Sequence, residues 1–242
     1  MPSADARIDV SVVIPVRNEE DNIVPLLEEV ERNLGGLDHE ILVVDDGSTD
    51  GTPTRLADAI RRFQHLRVLR HRHNRGQSAA VWTGVRHARG EWIFTLDGDG
   101  QNDPGDFARL WQARGTADML VGHRVKRQDK LMKRVGSRIA NRLRSRFLGD
   151  ATPDSGSGIK LFRRSLFLDL PYFDHMHRFL PALAIRHAAT VVTVPVNHRP
   201  RRSGRSNYGE LSRLWAGIVD ILGVSWLMRR SRFPIESDEL KR

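Results

Sequence analysis

The sequence VSVVIPVRNEEDNIVPLLEEVERNL, at residues 10–34, decides the fold. Its first seven residues are mostly β-branched, which predicts a buried strand over residues 10–16. The remainder places apolar residues at helical spacing, at Ile23, Leu26, Leu27, Val30 and Leu34. That spacing predicts a helix over residues 18–34. A strand followed directly by an amphipathic helix is the repeating unit of an α/β protein.

The same unit recurs before residue 100. Predicted strands cover residues 40–44, 66–69 and 92–96, and predicted helices cover residues 52–63 and 78–88. This alternation predicts a mainly parallel sheet joined by right-handed crossovers. In such sheets, ligands bind at the carboxyl ends of the strands.

Two carboxylate clusters come directly after predicted strands. Asp45 and Asp46 follow the second strand, and Asp97 and Asp99 follow the fourth. Because the carboxyl ends of parallel strands meet at one edge, we expect these side chains to share one site. Hard oxygen ligands of this kind suit Mg²⁺ or Mn²⁺. By itself, however, Asp-Gly-Asp is also a common turn sequence.

Composition narrows the possible chemistry. The chain has 242 residues and no cysteine, which excludes disulfides, thiolate metal sites and a cysteine nucleophile. A mean hydropathy of −0.45 excludes a protein built mainly of membrane spans. The most apolar later stretch, residues 214–228, is short and contains Asp220, so we expect no transmembrane anchor. The amino terminus lacks the pattern of a secretory signal, and the histidines show no metal-site spacing.

Charge is distributed unevenly along the chain. The net charge of +9 combines −6 over residues 1–121 with +15 over residues 122–242. Residues 122–149 alone carry ten Lys or Arg and one Asp, and residues 130–147 predict a helix with an apolar stripe bordered by cations. The second half therefore predicts an anionic partner, which leaves nucleic acid, anionic lipid and a phosphorylated substrate open.

Four motifs in the first half establish a resemblance. They are PVRNEE at 15–20, VDDGSTDGT at 44–52, NRGQSAAVWTG at 74–84 and DGDGQNDP at 97–104. In this order they resemble the family 2 inverting glycosyltransferases of the GT-A fold. The resemblance implies a Rossmann-like α/β fold with a mostly parallel central sheet flanked by helices, and basic C-terminal helices that face the acceptor and the membrane.

The second half resembles one subgroup of that family, which makes polyprenyl phosphate sugars, as dolichol-phosphate mannose synthase does. The matching pieces are GHR at 122–124, SR at 137–138, DSGSGIK at 154–160 and RRSGRS at 201–206. The resemblance implies an N-terminal tail over residues 1–9 and a transferase domain over residues 10–210. Within that domain, residues 10–105 would take the nucleotide sugar and residues 106–210 the acceptor. Residues 211–242 would form a helix and tail that associate with the membrane.

The resemblance also implies roles for individual residues. Pro15, Glu19, Asp45 and Asp46 would line the nucleoside pocket. Asp97 and Asp99 would hold Mg²⁺ or Mn²⁺ on the donor diphosphate, with Gln101 as an extra ligand. The diphosphate would be clamped by Arg201, with Gly204 and Ser206 beside it, so that Asp97, Asp99 and Arg201 form the catalytic set. Arg17 departs from the family, which usually has an aromatic residue there.

The resemblance to this subgroup implies a polyprenyl phosphate as acceptor, with Arg124, Ser137 and Arg138 as its anchors. A phosphate monoester is already an anion near neutral pH and needs no general base, whereas a sugar hydroxyl does. Between Asp106 and Asp169 the sequence has no adjacent acidic pair to serve as that base. The donor would be a GDP- or UDP-linked sugar, and the protein would act at the cytoplasmic face of an anionic membrane surface. Whether the protein forms homo-oligomers is left open by the sequence.

Two alternatives remain at this stage. One keeps the enzyme class and replaces the acceptor by a saccharide or lipid hydroxyl, for which Asp154 is the residue that could act as base. The other is a basic nucleic-acid-binding protein, suggested by a pI near 10.8. Its weakness is the low aromatic content, 7%, and the lack of a nucleic-acid-binding motif, so no nucleic-acid partner is expected.

Overall fold

The computed structural model describes residues 8–125, 148–150, 152, 154–200 and 210–230. Seven strands form one sheet: β1 Val10–Val16, β2 His39–Asp45, β3 Leu66–Arg70, β4 Trp92–Thr95, β5 Met119–Arg124, β6 Lys160–Arg163 and β7 Val191–Val196. The α-helices in the same part of the chain are α1 Ile23–Asn33, α2 Thr52–Arg62, α3 Gln77–His87, α4 Phe107–Ala113, α5 Arg164–Asp169, α6 Leu180–Arg186 and α7 Glu210–Arg229.

The strand order is β3-β2-β1-β4-β6-β5-β7. β6 pairs antiparallel with β4 and β5, and every other pairing in the sheet is parallel. The mostly parallel central sheet predicted from the sequence is therefore confirmed. The carboxyl ends of β1, β2, β4 and β5 lie at one edge, where β6 begins.

Helices cover both faces of the sheet, because the strands bury apolar side chains on both sides. Val12 and Ile14 of β1 belong to one hydrophobic cluster with α1, α2 and α4. Val13, between them, belongs to the other cluster, which includes α3, α5 and α6. A strand buried on both faces reads as a continuous apolar run rather than an alternating one, as the VSVVIPV sequence does.

Helix α1 begins later than predicted, at Ile23 instead of residue 18. The intervening residues form a loop tied to the loop after β2: Asn18 N donates to Ser48 Oγ at 3.0 Å and Glu19 N donates to Thr52 Oγ1 at 2.8 Å. Asn18 has a φ of 57°, which no helix continues. These contacts with a distant segment override the local helical pattern.

Five elements have no counterpart in the sequence-based prediction: β5, β6, α4, α5 and α6. They are four to seven residues long, too short for helical or strand periodicity to separate them from loops. The predicted helix over residues 130–147 lies outside the described residues, and so do Ser137, Arg138, Arg201, Gly204 and Ser206.

A buried carboxylate joins β1, β2 and β3 beneath α3. Glu40, 3% exposed, accepts hydrogen bonds from Ser11 Oγ at 2.7 Å, Arg89 N at 2.6 Å and Arg67 at 2.5 Å. The Ser11 hydroxyl accepts in turn from Gly90 N at 2.9 Å. Both oxygens of the carboxylate are thereby satisfied, which a buried charge requires.

Replacing Glu40 tests this network. We expect Glu40→Ala to lower the free energy of unfolding by about 2 to 3 kcal/mol, because the Ser11 and Arg89 donors lose their acceptor and Arg67 loses its counter-charge. Urea denaturation measures the difference. Glu28→Ala is the matched control, since its ion pair with Arg62 is largely exposed and should contribute less than about 1 kcal/mol. Equal losses in the two variants would contradict the assignment.

Candidate active site

The loops that follow β1, β2 and β4 meet at one edge of the sheet. Asp46 N donates to Val16 O at 2.9 Å, which joins the ends of β2 and β1. A Cβ at Gly98 would lie 2.6 Å from Val16 Cγ1, so the loop after β4 packs directly on the end of β1. Asp46 and Asp97 are therefore on the same edge, as the strand pattern predicts.

The start of α3 connects the two aspartate loops. Asp46 Oδ2 accepts from Gly76 N at 2.7 Å, while the next residue, Gln77, donates through Nε2 to Asp97 Oδ1 at 2.8 Å. Gly76 has a φ of 87°, a conformation that favours glycine. One turn of chain thus fixes both carboxylates relative to each other.

Asp46 and Asp45 differ in their surroundings. Asp46 Oδ1 accepts from His71 Nδ1 at 2.7 Å and from Arg75 N at 2.8 Å. Asp45 is 1% exposed, and its Oδ1 accepts from Ser48 N at 2.9 Å. Asp46 therefore holds the loop before α3, and Asp45 holds its own turn. Their nucleotide-binding role stays a prediction.

Two further residues of the predicted nucleoside pocket lie at the end of β1. Pro15 is buried within that strand and also lines a cavity at the edge of the sheet. Glu19 is partly buried, and its Oε2 accepts from Asn22 Nδ2 at 2.6 Å at the start of α1. Asp50 accepts from Thr52 N at 3.0 Å, which is a turn contact at the start of α2.

Asp97 is enclosed on three sides. Its backbone N donates to Asn102 Oδ1 at 3.3 Å, and Gln77 binds its Oδ1. On the third side, a Cβ at Gly158 would lie 2.1 Å from Asp97 Oδ2 and 2.6 Å from Asn102 Oδ1. A side chain at position 158 would collide with both, so the second Gly of the DSGSGIK motif, Gly158, has a steric reason to be glycine.

Burial and, after it, the charge of Asp99 raise the pKa of Asp97 from 3.8 to about 6, net of the opposing effects of Lys160, Arg124 and Gln77. A buried carboxylate beside a second carboxylate is a good match for a divalent cation, which would relieve the repulsion between them. Asp99 is partly buried and accepts from Gln101 N at 3.1 Å, which orders the turn. The two aspartates fit the predicted metal site.

A cavity of about 490 Å³ extends from Asp97 away from β2. Its charged and titratable lining residues are Asp97, Arg124, Asp154, Lys160, His177, Arg178 and Asp220. Strand β1 contributes Pro15 and helix α3 contributes Gln77 and Val81. The other lining residues come from β4, β5, β6 and the loops beside them, and from the chain around α6 and α7. The cavity therefore joins residues from both halves of the sequence.

Arg124 forms a bidentate ion pair with Asp154 on the cavity wall. Its Nε donates to Asp154 Oδ2 and its Nη2 to Oδ1, both at 2.7 Å, and its backbone N donates to Oδ2 at 3.3 Å. From the sequence, Arg124 was expected to anchor the acceptor phosphate, and Asp154 was the residue that could act as general base for a hydroxyl acceptor. The structure brings the two together as partners, so each neutralises the other.

Three basic residues of the lining had no assigned role in the sequence analysis: Lys160, His177 and Arg178. Lys160 is 4% exposed, begins β6 opposite Thr95, and donates from Nζ to Ser157 O. The pKa of His177 is lowered well below 6.5 by burial and by the charges of Arg178, Lys160 and His175. Lys160 belongs to a quoted motif, but nothing in the sequence pattern brings residues 177 and 178 to this cavity.

A separate cluster lies at the opposite end of the sheet. Glu31, His39 and His65 place ligand atoms within 4.8 Å of one another. His65 Nδ1 is 2.8 Å from Glu31 Oε1, so hydrogen bonding accounts for their contact. His39 begins β2 and Asp45 ends it, so this cluster lies at the other end of the strand from the site at Asp97. It therefore has no role in that site.

Comparison with known proteins identifies a family and two relatives of this chain. Residues 11–170 match the family described as Glycosyl transferase family 2. The chain is 36% identical over 235 residues to dodecaprenyl-phosphate galacturonate synthase of Rhizobium johnstonii, covering 94% of this chain and 69% of that protein. It is also 36% identical over 231 residues to undecaprenyl-phosphate 4-deoxy-4-formamido-L-arabinose transferase of Edwardsiella ictaluri, covering 93% of this chain and 71% of that protein.

Solved structures share the architecture at lower identity. Glucosyl-3-phosphoglycerate synthase from Mycobacterium tuberculosis, in complex with Mn²⁺, UDP-glucose and phosphoglyceric acid, superposes with a TM-score of 0.66 at 20% identity. The match covers 91% of this chain and 79% of that one. Staphylococcus aureus TarS, residues 1–349, gives a TM-score of 0.62 at 17% identity over 93% of this chain and 67% of that one. These likenesses support the fold.

The raised pKa of Asp97 predicts a stability cost in metal-free protein. Because the folded-state pKa of about 6 exceeds the ordinary 3.8, the stabilising contribution is complete below pH 3.8 and is lost as the pH rises through 6. We expect Asp97→Asn to raise the Tm by a few degrees at pH 7 in the presence of EDTA, and by much less at pH 4.5. Thermal unfolding at the two pH values checks this, with exposed Asp58→Asn as control. A lower Tm at pH 7 would contradict it.

Proposed function

The chain belongs to glycosyl transferase family 2, and from this premise we propose that it transfers a sugar, with inversion, from a nucleoside diphosphate to a polyprenyl phosphate. The observation that carries the proposal is the pair of aspartate loops joined by Gly76 and Gln77 at the edge of the sheet. The cavity beside them supplies room for an acceptor. Both curated relatives carry a polyprenyl phosphate in their names.

Asp97 and Asp99 would hold the divalent cation, with Gln101 as a further oxygen ligand. Their chemistry suits Mg²⁺ and Mn²⁺ alike, and the mycobacterial synthase of the same fold binds Mn²⁺ with UDP-glucose. When bound, such a cation offsets the negative charge that develops on a departing diphosphate. Gln77 holds Asp97 from the side of α3, and Gly158 leaves the space that the carboxylate occupies.

The acceptor phosphate would attack the anomeric carbon of the donor sugar. A new bond forms between that carbon and a phosphate oxygen, while the bond to the donor's β-phosphate oxygen breaks and its electron pair leaves with the nucleoside diphosphate. Attack from the opposite face inverts the configuration. Because the nucleophile is already an anion, no proton has to be removed during the step.

The Asp154 contacts favour phosphate over hydroxyl as the nucleophile. A hydroxyl acceptor needs a base with an available lone pair close to the reacting atom. Both oxygens of Asp154 accept hydrogen bonds from the cationic Arg124, which makes this carboxylate a poor base. The rival hydroxyl reaction thus loses the residue on which it depended.

The nucleoside end of the donor would lie at the ends of β1 and β2, near Glu19 and Asp46. Arg17 stands in this loop, partly buried, and its Nε has no hydrogen-bond partner among the described residues. A base or ribose oxygen would satisfy that donor. The donor panel should therefore include both UDP- and GDP-linked sugars, and UDP-linked galacturonic acid among them, because one relative is a galacturonate synthase.

We propose that α7 brings the cavity to a membrane surface. Among the described residues, no helix is long and apolar enough to span a bilayer. On α7, however, Ile218, Val219, Leu222 and Trp226 are exposed along one side, with Leu222 at 60% and Trp226 at 63%. Residues at this spacing share a helix face, and the adjacent Ile221 lines the cavity. A lipid-linked acceptor reaches its phosphate site most directly from such a face. We propose that this surface meets the cytoplasmic face of the membrane, as expected from the sequence.

A transfer assay tests the acceptor class. We expect radiolabelled sugar from one of the donors to appear in a lipid product that mild acid releases, because a glycosyl phosphate is acid-labile, when polyprenyl phosphate and Mn²⁺ are supplied. The corresponding polyprenol, which has a hydroxyl instead of the phosphate, is the control acceptor. Transfer to polyprenol or to a saccharide, with none to polyprenyl phosphate, would favour the hydroxyl alternative. Tight binding of nucleic acid without binding of a nucleoside diphosphate would favour the alternative of a nucleic-acid-binding protein.

Asp99→Ala tests the metal assignment. Because Asp99 serves the site and not the core, we expect transfer to fall by at least about 100-fold while the Tm is maintained. The stabilisation of the protein by Mn²⁺ should disappear with it, as thermal shift measures. Exposed Asp58→Ala, on α2, should match the wild type in both measurements. Wild-type turnover in Asp99→Ala would remove the assignment.

Vesicle flotation tests the α7 surface. We expect the double variant Leu222→Glu and Trp226→Glu to bind phosphatidylglycerol vesicles at least about tenfold more weakly, because two apolar side chains are replaced by anions. Both positions are exposed, so the fold should persist. Ile60→Glu is the matched control, since Ile60 is an exposed apolar residue on α2, on the other face of the sheet. Unchanged flotation of the double variant would exclude this surface.

A further inference from the structure

We infer that Arg178, with Lys160 beside it, forms an anion site in the cavity that binds the phosphate of the acceptor. The inference rests on the proposed function for the identity of the ligand, a phosphate monoester on a lipid chain. It assigns the phosphate to a residue outside the motifs that indicated an acceptor site. Arg178 lies in the short turn Met176–Arg178, ahead of α6.

The charges of the cavity wall are paired except near Arg178. Arg124 is bound to Asp154, and Asp220 accepts from His175 Nδ1 at 2.8 Å. Asp97 is the predicted metal ligand. Across the described ranges, the Arg178 guanidinium makes no ion pair and no hydrogen bond, although it is partly buried and lines the cavity. A cation in that position is available to an anion that enters.

Lys160 adds a second positive charge close by. It is 4% exposed and lines the same cavity. Burial lowers the pKa of His177, and the charges of Arg178 and Lys160 lower it further, so both cations lie close enough to act on this imidazole. His177 therefore stays neutral near pH 7 and contributes hydrogen-bonding atoms rather than charge.

The turn that carries Arg178 is fixed by both of its histidines. His177 Nδ1 lies 2.7 Å from Ser78 Oγ on α3, and His177 N donates to the same oxygen at 3.3 Å. His175, in the left-handed conformation with a φ of 65°, binds Asp220 of α7. Met176 and Phe179 are buried on either side. The guanidinium is thus presented by a turn held between two helices, which limits the entropy lost on binding.

The position of the cavity along the sheet favours the acceptor over the donor. The aspartates expected at the nucleoside follow β2, whereas the cavity touches β1 only at Pro15 and continues from Asp97 after β4 past β6 to β5. Its outer wall includes Gly217, Asp220 and Ile221 of α7, the helix whose other side exposes apolar residues. A phosphate at Arg178 would therefore lie between the metal site and a surface suited to a lipid chain.

Binding of farnesyl phosphate, a short soluble prenyl phosphate, tests the site directly. Isothermal titration would compare wild type, Arg178→Gln and Arg178→Lys, with farnesol as the ligand that lacks phosphate. We expect Arg178→Gln to weaken farnesyl phosphate binding at least tenfold. Arg178→Lys should be intermediate, because it keeps the charge and loses the planar fork of donors. UDP and GDP affinities should stay within twofold of wild type.

Arg89→Gln is the matched control. It removes one cation from an exposed position at the amino end of β4, far from the cavity, and should leave farnesyl phosphate binding unchanged. Circular dichroism of each variant reports folding. Equal farnesyl phosphate affinity in Arg178→Gln and wild type would overturn the inference, and so would wild-type binding that farnesol matches. A loss of nucleotide affinity in Arg178→Gln would also overturn it, by assigning the residue to the donor.

Failure of the anion site at Arg178 can be distinguished from failure of the proposed function. If wild type transfers sugar to polyprenyl phosphate and Arg178→Gln has an unchanged KM for that acceptor, the function stands and the anion site at Arg178 fails. If wild type transfers nothing to polyprenyl phosphate from any donor, the proposed function fails, while the farnesyl phosphate titration still decides whether Arg178 binds the anion. Both proposals are supported if wild type transfers sugar to polyprenyl phosphate and Arg178→Gln has a raised KM for that acceptor and an unchanged KM for the donor.

Discussion

The fixed distance between Asp46 and Asp97 is the constraint on which the rest of the site depends. Parallel pairing of β2, β1 and β4 brings their ends to one edge, and the hydrogen bonds of Gly76 and Gln77 then lock the two loops together. Moving Asp46 would break a backbone hydrogen bond at the start of α3, and moving Asp97 would break the hydrogen bond from the Gln77 side chain. These contacts preorganise the two carboxylates, as electrostatic catalysis requires.

A division of charge follows from the order of strands. The acidic first half of the chain supplies the loops of β1, β2 and β4, whereas the basic second half supplies β5, β6 and the turn before α6. Because antiparallel β6 lies between β4 and β5, its first residue, Lys160, reaches the edge where the other strands end. The sheet thus places Asp97 and Asp99, the proposed metal ligands, beside the cavity that Lys160 and Arg178 line, which is the arrangement that the proposed function needs.

Sequence pattern was sufficient for the regular part of this fold. β1 has the predicted bounds because all seven of its residues are buried, and α3 begins one residue before the predicted start. Sequence pattern did not predict β5, β6 or the short helices α4, α5 and α6, because a segment of four to seven residues shows too little periodicity. It also failed for the start of α1, where contacts to Ser48 and Thr52 override local preference.

The family, the parallel sheet and the aspartates at its edge could be predicted from the sequence, because strand runs, turn glycines and short motifs are local along the chain. Which charged side chains are partners became clear only in the folded structure. Arg124 and Asp154, separate candidates in sequence, form one ion pair, while Arg178, unremarkable in sequence, lines the cavity unpaired among the described residues. Pairing of charges depends on contacts between distant segments, and the packing of β5, β6 and α7 fixes those contacts.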